Sequence, residues 1–505
     1  MVELTAPAPK DVICDPASGT CGFLVAAGEY LREKHPALFN DAPAREHFHH
    51  GMFHGYDFDN TMLRIGSMNM ALHGVDNPDI RYKDSLAQDH AGDEEKYSLI
   101  LANPPFNVDD VNLKKVENDP RFKTYGIPRN KSGDKKNEKG NETVPNANYL
   151  WINLFATALK ERGRAALVMA NSASDARHSE ADIRKTLIEN NLIYGMLTLP
   201  SNMFYTVTLP ATLWFFDKAK PDERILFIDA RNIFTQIDRA HREFSDAQIQ
   251  NIALISRLHK GNRAAMIRLV DGYFAQGMQK LAENAPQVTA ISAQLLAVLD
   301  DAEGREAVQA LEGQWQGWHT LEAAYARYQA LPADRPTIET QNQAQRDLQA
   351  RIDPFFAELH EALKALDRLV RQYEKTAREA NGTRGIGKNL KTLKDALETL
   401  RAEVRDAESY FGHIHWLQER FPSAQYEDVT GLCKLATLDE VREQEYSLNP
   451  GRYVGVVIEE DGKTEEEFME EMENLQDFLS KLNDQAKELE DVISQNLKQL
   501  VGEHE

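Results

Sequence analysis

Cysteine is scarce in this chain of 505 residues, which contains Cys14, Cys21 and Cys433 and no other cysteine. Three cysteines without a Cys-x-x-Cys pair form neither a disulfide framework nor a recognisable zinc site, and they suit a reducing compartment. The chain also lacks an apolar run of the ~20 residues that a membrane span needs, and no cationic and apolar leader pattern opens it. These absences predict a cytoplasmic protein that has no membrane partner.

Basic residues are few relative to acidic ones: 58 Lys and Arg stand against 80 Asp and Glu, and the net charge is −22. Such a chain is a poor DNA binder by itself, because neutralising phosphates requires clustered Lys and Arg. If it acts on nucleic acid, a basic partner or a local basic patch must supply the attraction. The length predicts about three structural units, and the 42% hydrophobic content predicts that they are globular.

Residues 1–235 predict an α/β domain with a doubly wound sheet. Short apolar runs bounded by turn residues alternate with helical stretches, which is typical of buried parallel strands joined by crossover helices. The predicted strands are residues 11–14, 52–56, 97–102, 164–170, 192–198 and 211–216. The predicted crossover helices are residues 61–72, 149–162 and 178–190.

Helical periodicity replaces the strand pattern in residues 236–425. Asp353 followed by Pro354 predicts a helix start, because proline is tolerated at the first helical position, where an N–H would have no partner. Asn381-Gly382 predicts the end of that helix, and leucines at helical spacing predict a second helix over residues 390–404. Two helices joined by a glycine-containing turn predict an antiparallel hairpin, and we interpret the region as a scaffolding insertion.

Residues 426–505 end in the pattern of a coiled-coil helix. Thr464 and Glu467 match a capping box, and a heptad seam follows from Phe468 to Leu500, with Asn496 as its one polar member. Such a seam predicts packing along another long helix. The pattern leaves open whether that helix belongs to this chain or to another subunit.

Three loops that follow strand-like runs outline a ligand pocket. Residues 15–24 (Asp-Pro-Ala-Ser-Gly-Thr-Cys-Gly-Phe-Leu) contain Gly19 and Gly22, which let the backbone turn tightly and approach a ligand. Asp57 ends the second strand, where a carboxylate can accept hydrogen bonds from both ribose hydroxyls, and Asp84 follows a third short run. Each feature alone also fits a packing turn or a helix N-cap. Together they predict a pocket for an adenosine-containing cofactor, and the lack of a full Gly-x-Gly-x-x-Gly loop argues against NAD.

The string Asn103-Pro104-Pro105-Phe106 follows the fourth predicted strand. Consecutive prolines forbid helix and remove two N–H donors, so the turn presents oxygen acceptors beside an aromatic ring. The Asn103 side chain and the Pro104 carbonyl can hold both N–H bonds of an exocyclic base amine and favour a tetrahedral, nucleophilic nitrogen. Phe106 can stack on a base that has left the duplex. The alternative is a rigid strand-end turn with a packed phenylalanine.

Taken in order, these motifs resemble the modification (M) subunit of type I restriction–modification systems, an adenine-N6 DNA methyltransferase that uses S-adenosylmethionine. Residues 15–24 are similar to the family's cofactor loop, residues 55–59 and 64–69 to its second motif and following helix, and residues 103–106 to its catalytic motif. Residues 163–168 are similar to its next strand, and residues 431–434 and 446–454 to its C-terminal signature. The resemblance implies a Rossmann-like methyltransferase domain in residues 1–235.

The resemblance also implies roles for residues and partners. The implied cofactor-binding residues are Asp15, Ser18, Gly19, Thr20, Asp57 and Asp84, with Asp57 on the ribose and Asp84 near the adenine. The implied target-base residues are Asn103, Pro104, Pro105 and Phe106. The implied partners are double-stranded DNA, a specificity subunit on the C-terminal helix, a second copy of the chain and a restriction subunit with nuclease and translocase activity.

Two departures from the family pattern stand out. Cys21 occupies a position where the family has glycine or another small residue, and its side chain is expected to crowd the cofactor loop. The cofactor loop follows closely on Met1, whereas the family carries a helical domain upstream, which predicts an N-terminally truncated subunit. Two alternatives therefore stay open: a catalytically weak assembly subunit, and a methyltransferase for protein glutamine or RNA amines, which use similar Asn-Pro-Pro turns.

Two further clusters have an ordinary and a functional interpretation. Residues 113–139 contain nine basic and four acidic residues, so this segment is either a solvated mobile loop or a loop that closes over DNA phosphates beside the active turn. His47, His49, His50 and His54 also cluster. No acid or cysteine with ligand spacing accompanies them, so no metal site is predicted.

Overall fold

The computed structural model describes residues 1–86, 93–109, 111–130, 142–204, 210–299, 301–331, 337–381 and 388–457, and eight single helical positions between 472 and 490. The chain divides into two compact units, Met1–Gly455 and Val456–Glu505. Most of the predicted heptad seam lies outside the described residues. Its described members, Met472, Leu479, Ala486 and Leu489, are helical and exposed. The three-part division predicted from the sequence, residues 1–235, 236–425 and 426–505, stays a prediction.

The first unit contains all the strands and numbered helices found among the described residues. The strands are β1 (Ile13–Asp15), β2 (Phe53–Asp57), β3 (Asp79–Tyr82), β4 (Tyr97–Ala102), β5 (Leu159–Ala170), β6 (Ile193–Thr198), β7 (Ala211–Asp217), β8 (Ile225–Asp229), β9 (Thr235–Gln236), β10 (Arg242–Glu243) and β11 (Cys433–Ala436). The helices are α1 (Val2–Thr5), α2 (Gly22–Lys34), α3 (Ala42–His50), α4 (Asn60–Leu72), α5 (Leu113–Val116), α6 (Pro120–Lys123), α7 (Asn148–Ala158), α8 (Ser179–Glu189), α9 (Asp246–His259), α10 (Ala264–Leu296), α11 (Ala302–Gln329), α12 (Ile338–Asn381), α13 (Lys388–Arg420) and α14 (Leu438–Glu443).

Nine strands form one mixed sheet in the order β11-β8-β6-β7-β5-β4-β1-β2-β3. The strands from β3 to β5 run parallel, β7 runs antiparallel between β5 and β6, and β11 pairs antiparallel with β8. The strand order reverses at β1, so the loops after β1 and β4 meet at a topological switch point, where open α/β sheets bind ligands. The predicted fold class, a doubly wound sheet followed by a long helical region, is confirmed.

Buried side chains cover both faces of the sheet. Leu99 and Leu101 of β4 belong to one apolar cluster, and Ile100 and Ala102 belong to the other, as alternating side chains of a central strand must. The first cluster continues through α2 and α9 into the long helices α10 to α13, whereas the second contains α7 and α8. The helical region therefore packs as an extension of one face of the sheet. None of the described helices is both long and apolar enough to cross a bilayer.

The predicted helix start at Pro354 is wrong, because α12 runs unbroken from Ile338 to Asn381 with that proline inside. A proline in a helix interior costs ~3 kcal/mol, since it removes one backbone hydrogen bond and crowds the preceding turn. The apolar residues Ile352, Phe355, Phe356 and Leu359 are all buried around it. At ~1.5–3 kcal/mol for each buried side chain, their packing outweighs the cost of the proline.

Polar side-chain pairs between α12 and α13 define the direction of the predicted hairpin. From the turn outward they are Glu374–Lys394 at 2.5 Å, Asp367–Arg401 at 3.4 Å and His360–Glu408 at 2.6 Å. Residue numbers fall along one helix while they rise along the other, so the two helices are antiparallel. The turn itself, residues 382–387, lies outside the described residues.

Residues 446–454, which resemble a C-terminal signature, pack against the sheet domain. The Leu448 N–H donates to the Ser174 carbonyl at 3.0 Å, and the Tyr453 ring stacks on Phe227 of β8 with centroids 3.8 Å apart. After the chain returns from the helical region, β11 joins the edge of the sheet, and this segment then packs against it. The sequence pattern indicated β3 only as the short run before Asp84, and it did not indicate β8 or β11.

Candidate active site

The loop after β1 is held against the end of β2 by backbone hydrogen bonds. The Ser18 N–H donates to the Tyr56 carbonyl at 2.9 Å, and the Gly19 N–H donates to Oδ2 of Asp57 at 3.0 Å. Gly19 has a φ of +48°, in the left-handed region that glycine adopts without strain. The predicted cofactor loop and the predicted ribose carboxylate therefore form one hydrogen-bonded unit.

Cys21 is accommodated by a glycine on the neighbouring helix. It is buried with a φ of +61°, and burial raises the pKa of its thiol to about 12. A Cβ atom placed on Gly66 of α4 would lie 2.6 Å from the Cys21 Sγ and 3.0 Å from the Gly19 carbonyl oxygen. The Cys21 side chain therefore packs against α4, and the space that it takes is provided by the missing side chain at position 66.

The strand ends beside this loop carry carboxylates and an aromatic ring. Oδ1 of Asp57 accepts the Asp59 N–H at 2.8 Å, so each carboxylate oxygen has one backbone donor and keeps capacity for another. The next residue, Phe58, is 68% exposed, which is unusual for a large apolar side chain. Oδ1 of Asp84 accepts the Leu86 N–H at 3.1 Å in the loop after β3.

Asp15 lies at the end of β1 with its carboxyl group buried. Its Oδ1 accepts the Ala17 N–H at 3.0 Å. Burial raises the pKa of Asp15 to about 8, and the nearby charge of Asp57 acts in the same direction. The predicted role of Asp15 in cofactor binding thus concerns a carboxyl group that is largely protonated at neutral pH.

The turn after β4 presents its asparagine to solvent. Asn103 and Pro105 are exposed, Pro104 is buried, and Phe106 is half-buried against the apolar core. Within the described part of the chain, the Asn103 side chain has no hydrogen-bond partner. Its carboxamide is consequently available to a ligand.

A cleft of about 660 Å³ joins the turn to the cofactor side. Its described lining consists of Pro16, Ala17, Asp57, Phe58, Lys83, Asp84, Ser85, Leu86, Asn103, Pro105, Val108, Asp109, Val111, Asn112, Lys115 and Trp151. The structure thus brings Asp57, Asp84, Asn103 and Pro105 together. The other predicted site residues, Asp15, Ser18, Gly19, Thr20, Pro104 and Phe106, are not among the described residues that line it.

Phe58 and Trp151 line the cleft although the sequence analysis assigned them no role. An apolar residue directly after the strand-end carboxylate Asp57 is a pattern that could have identified Phe58. Trp151 lies within a helix that is buried all round, and its spacing resembles that of any core residue. No sequence pattern distinguishes it.

The basic segment is partly folded rather than a mobile loop. Leu113, Val116 and Phe122 of α5 and α6 are buried, and Arg121 is 3% exposed and paired with Asp119 at 2.6 Å. Arg121 is therefore not available to DNA phosphates. The described basic residues that remain exposed are Lys114, Lys115, Lys123 and Arg129, and residues 131–141 lie outside the described residues.

The clustered histidines each contact a separate partner. His47 contacts the Asp11 carbonyl oxygen at 2.7 Å, and His54 contacts the Asp79 carboxylate at 2.9 Å. His49 and His50 lie 3.2 Å and 3.7 Å from the carboxylates of Asp76 and Glu46. Among the residues that the structure describes, no group of three potential metal ligands converges.

The cleft fits an adenosine-containing sulfonium cofactor in its chemistry and size. Small-molecule sites have volumes of roughly 300–1,000 Å³, and this cleft lies within that range. Asp57 offers oriented carboxylate oxygens for vicinal hydroxyls, Phe58 offers an aromatic face for a base, and the carboxylates favour a cation. Of the predicted cofactor-binding residues, Asp57 and Asp84 therefore lie in this cleft together with Phe58.

Comparison with known proteins gives a consistent assignment. The family model for N-6 DNA methylases matches residues 1–271. A methylase subunit of a type I restriction enzyme (MjaIX) from Methanocaldococcus jannaschii is 36% identical over 249 residues, covering 48% of this chain and 40% of the relative. The HindI methylase subunit from Haemophilus influenzae is 32% identical over 256 residues, covering 50% of this chain and 52% of the relative. The chain thus spans about half the length of these curated relatives.

A solved type I methyltransferase subunit from Streptococcus thermophilus is 22% identical, with a TM-score of 0.42, and the match covers 51% of this chain and 50% of that one. The curated relatives confirm the resemblance to type I modification subunits that the motifs indicated. Because the family model spans more than half of the 505 residues, this chain belongs to the N-6 DNA methylase family.

Proposed function

We propose that the chain transfers a methyl group from S-adenosylmethionine to N6 of adenine in double-stranded DNA, as the modification subunit of a type I restriction–modification complex. The observation that carries this proposal is the shared cleft, which is lined by Asn103, whose carboxamide has no partner among the described residues, and by the carboxylates Asp57 and Asp84. Membership of the N-6 DNA methylase family supports the chemistry.

The cofactor side holds the adenosine. Asp57 accepts the ribose hydroxyls on the lone pairs that the Gly19 and Asp59 N–H groups leave free, and Phe58 stacks on the adenine. Asp84 lines the same cleft and reads the polar edge of the adenine. Bound there, S-adenosylmethionine supplies an electrophilic methyl carbon on a cationic sulfur.

The base side holds the target. The Asn103 side chain and the Pro104 carbonyl accept the two N–H bonds of the adenine amine, which withdraws its lone pair from the ring and aims it at the methyl carbon. The N6–C bond forms as the S–C bond breaks, and the surplus proton on N6 passes to solvent. Phe106 and Pro105 contact the flipped base, which must leave the helix to reach the cleft.

DNA affinity is proposed to come largely from partners. The net charge is −22, and the described exposed basic residues near the cleft are few. A specificity subunit that chooses the sequence, a second modification subunit and a restriction subunit complete the proposed assembly. Docking of the specificity subunit on the C-terminal heptad helix remains a prediction, as does a cytoplasmic location.

A methyl-transfer assay distinguishes this function from its alternatives. The chain, alone and in the complex that co-purifies with it, is incubated with tritiated S-adenosylmethionine and unmethylated duplex DNA, total RNA or protein extract. We expect label in DNA and a requirement for the complex. Label in RNA or in protein glutamine would replace the proposal with one of those substrates. Absence of cofactor binding in calorimetry, alone and in complex, would favour an assembly subunit without catalysis.

A further inference from the structure

The chain leaves the target-base turn through a residue that a buried helix holds in place. Asn107, directly after Phe106, has a φ of +53°, in the left-handed region that asparagine tolerates better than most residues. Its N–H donates to Oδ1 of Asn148 at 2.8 Å, and Nδ2 of Asn148 donates to Oδ1 of Asn107 at 2.8 Å. Asn148 is 3% exposed and is the first residue of α7.

The geometry determines which group donates in this amide pair. A backbone N–H can only donate, so the Asn148 atom that faces the Asn107 nitrogen must be the carbonyl oxygen. The Asn148 amino group is then directed at the Asn107 side-chain oxygen. The Ala147 N–H adds a third bond, to the Val108 carbonyl at 2.8 Å. Every residue of α7 is buried, so the turn is attached to a rigid element.

We propose that Asn148 is a positioning residue for the target-base turn, acting through Asn107. This inference rests on the proposed function, since it states how the base side of the cleft is held. The reciprocal pair fixes the backbone one residue beyond Phe106 and so limits rotation of the turn that carries Asn103. Without the pair, Phe106 keeps its packing, but the turn samples orientations in which the Asn103 carboxamide misses the adenine amine.

The pair is chemically asymmetric, which gives the proposal a specific signature. Asn148→Asp keeps the acceptor for the Asn107 N–H but replaces the donor with an oxygen that faces another oxygen. Protonation of the new carboxyl restores a donor, and burial raises the pKa of such a group. The defect should therefore be large at high pH and should shrink as the pH falls.

Two variants on α7 test this in the full chain and its complex, with kcat and KM for DNA measured across pH and the cofactor Kd measured by calorimetry. We expect Asn148→Asp to lower kcat about 30-fold near pH 8 and only a few-fold near pH 6, with the cofactor Kd within about 2-fold. The matched control is Asn153→Asp on the same helix. Asn153 is equally buried, but it donates to the Phe122 and Gly126 carbonyls and does not contact the turn. Asn153→Asp should not reproduce the pH-dependent loss of kcat.

Substitutions at the exposed partner keep the test informative if Asn148→Asp does not fold. Asn107→Asp retains the oxygen that accepts from Asn148, whereas Asn107→Gly removes it, and both residues tolerate a positive φ. We expect Asn107→Gly to lose about 5- to 10-fold in kcat and Asn107→Asp to lose clearly less. Equal losses for these two variants would overturn the proposal.

Hydrogen exchange of residues 103–109 gives a readout that does not depend on activity. The Asn107 N–H should exchange faster in Asn148→Asp at high pH than in the parent chain or in Asn153→Asp. An unchanged exchange rate together with an unchanged pH profile of kcat would overturn the positioning role. If the parent chain methylates no DNA, the proposed function fails, yet the exchange measurement still decides whether the amide pair holds the turn.

Discussion

The two sides of the cleft are held in place by different chemistry. On the cofactor side, the Gly19 N–H of the loop after β1 donates to the Asp57 carboxylate, so the shape of the loop depends on a charge. On the base side, two prolines and a neutral amide pair hold the turn, and Asn103 carries no charge. We therefore expect cofactor binding to be sensitive to substitutions that change charge or the packing of small residues. We expect methyl transfer to be sensitive to substitutions of the amide side chains.

The largest expected effect is on the base side. Asn103→Ala removes the acceptor for the target amine without touching the cofactor loop. We expect the rate of methyl transfer to fall on the order of 1,000-fold, with an unchanged cofactor Kd and melting temperature. Single-turnover methylation and calorimetry measure the two quantities separately. A cofactor Kd that rises as the rate falls would show that Asn103 contributes to cofactor binding, which would contradict its assignment to the base side.

The second-largest expected effect is a loss of cofactor affinity on the cofactor side, with little loss of rate at saturating cofactor. Asp57→Ala removes the acceptor of the Gly19 N–H as well as the ribose contact. We expect the cofactor Kd to rise about 100-fold. At saturating cofactor the remaining loss of rate should be small, because the turn after β4 is intact. A normal Kd in this variant would show that the ribose binds elsewhere.

Packing of the cofactor loop can be tested with a compensating pair. Gly66→Ala places a Cβ 2.6 Å from the Cys21 Sγ and should cost about 1–3 kcal/mol in the free energy of unfolding. Cys21→Gly in the same chain removes the closest contact and also suits the φ of +61° at that position. We expect the double variant to regain much of the loss in urea unfolding and cofactor binding. Additive losses would mean that the two positions do not share this space.

The smallest effect concerns the buried carboxyl of Asp15. Because its folded-state pKa is raised from 3.8 to about 8, ionising it opposes folding, and that cost grows between those two pH values. Asp15→Asn removes the titration, so its gain in the free energy of unfolding should be larger at high pH. We expect a difference of at least about 1 kcal/mol between pH 5 and pH 8.5 in urea titrations. A gain independent of pH would contradict the raised pKa.

The residues that carry the chemistry of the cleft were easier to predict from the sequence than the residues that hold them in position. Asp57 and Asn103 follow apolar strand-like runs directly, so strand order alone places them at one edge of the sheet. Asn148 lies 45 positions after Asn103 and matters only through a tertiary contact with Asn107, which no local pattern reveals. Phe58 was missed although it follows Asp57 directly, because residue spacing does not show that its ring is exposed.

The difference between local sequence patterns and tertiary contacts also explains which secondary-structure elements were predicted correctly. β4 and β7 were predicted within one residue of their observed bounds because both faces of a central strand are apolar. At the edges of the sheet, β3 was indicated only as a short run before Asp84, since it carries Asp79 and Arg81, and β11 was missed because the helical region separates it from its neighbour β8. The helix start predicted at Pro354 was wrong because the packing of buried neighbours along α12 outweighs the preference of proline for the first turn of a helix.

A crystal structure of the chain with S-adenosylmethionine would test the central claim most directly. The account requires the ribose hydroxyls on the Asp57 carboxylate, the adenine beside Phe58, and the methyl carbon directed toward the Asn103 carboxamide across the same cleft. Cofactor bound outside this cleft, or bound with its sulfur facing away from residues 103–106, would contradict it.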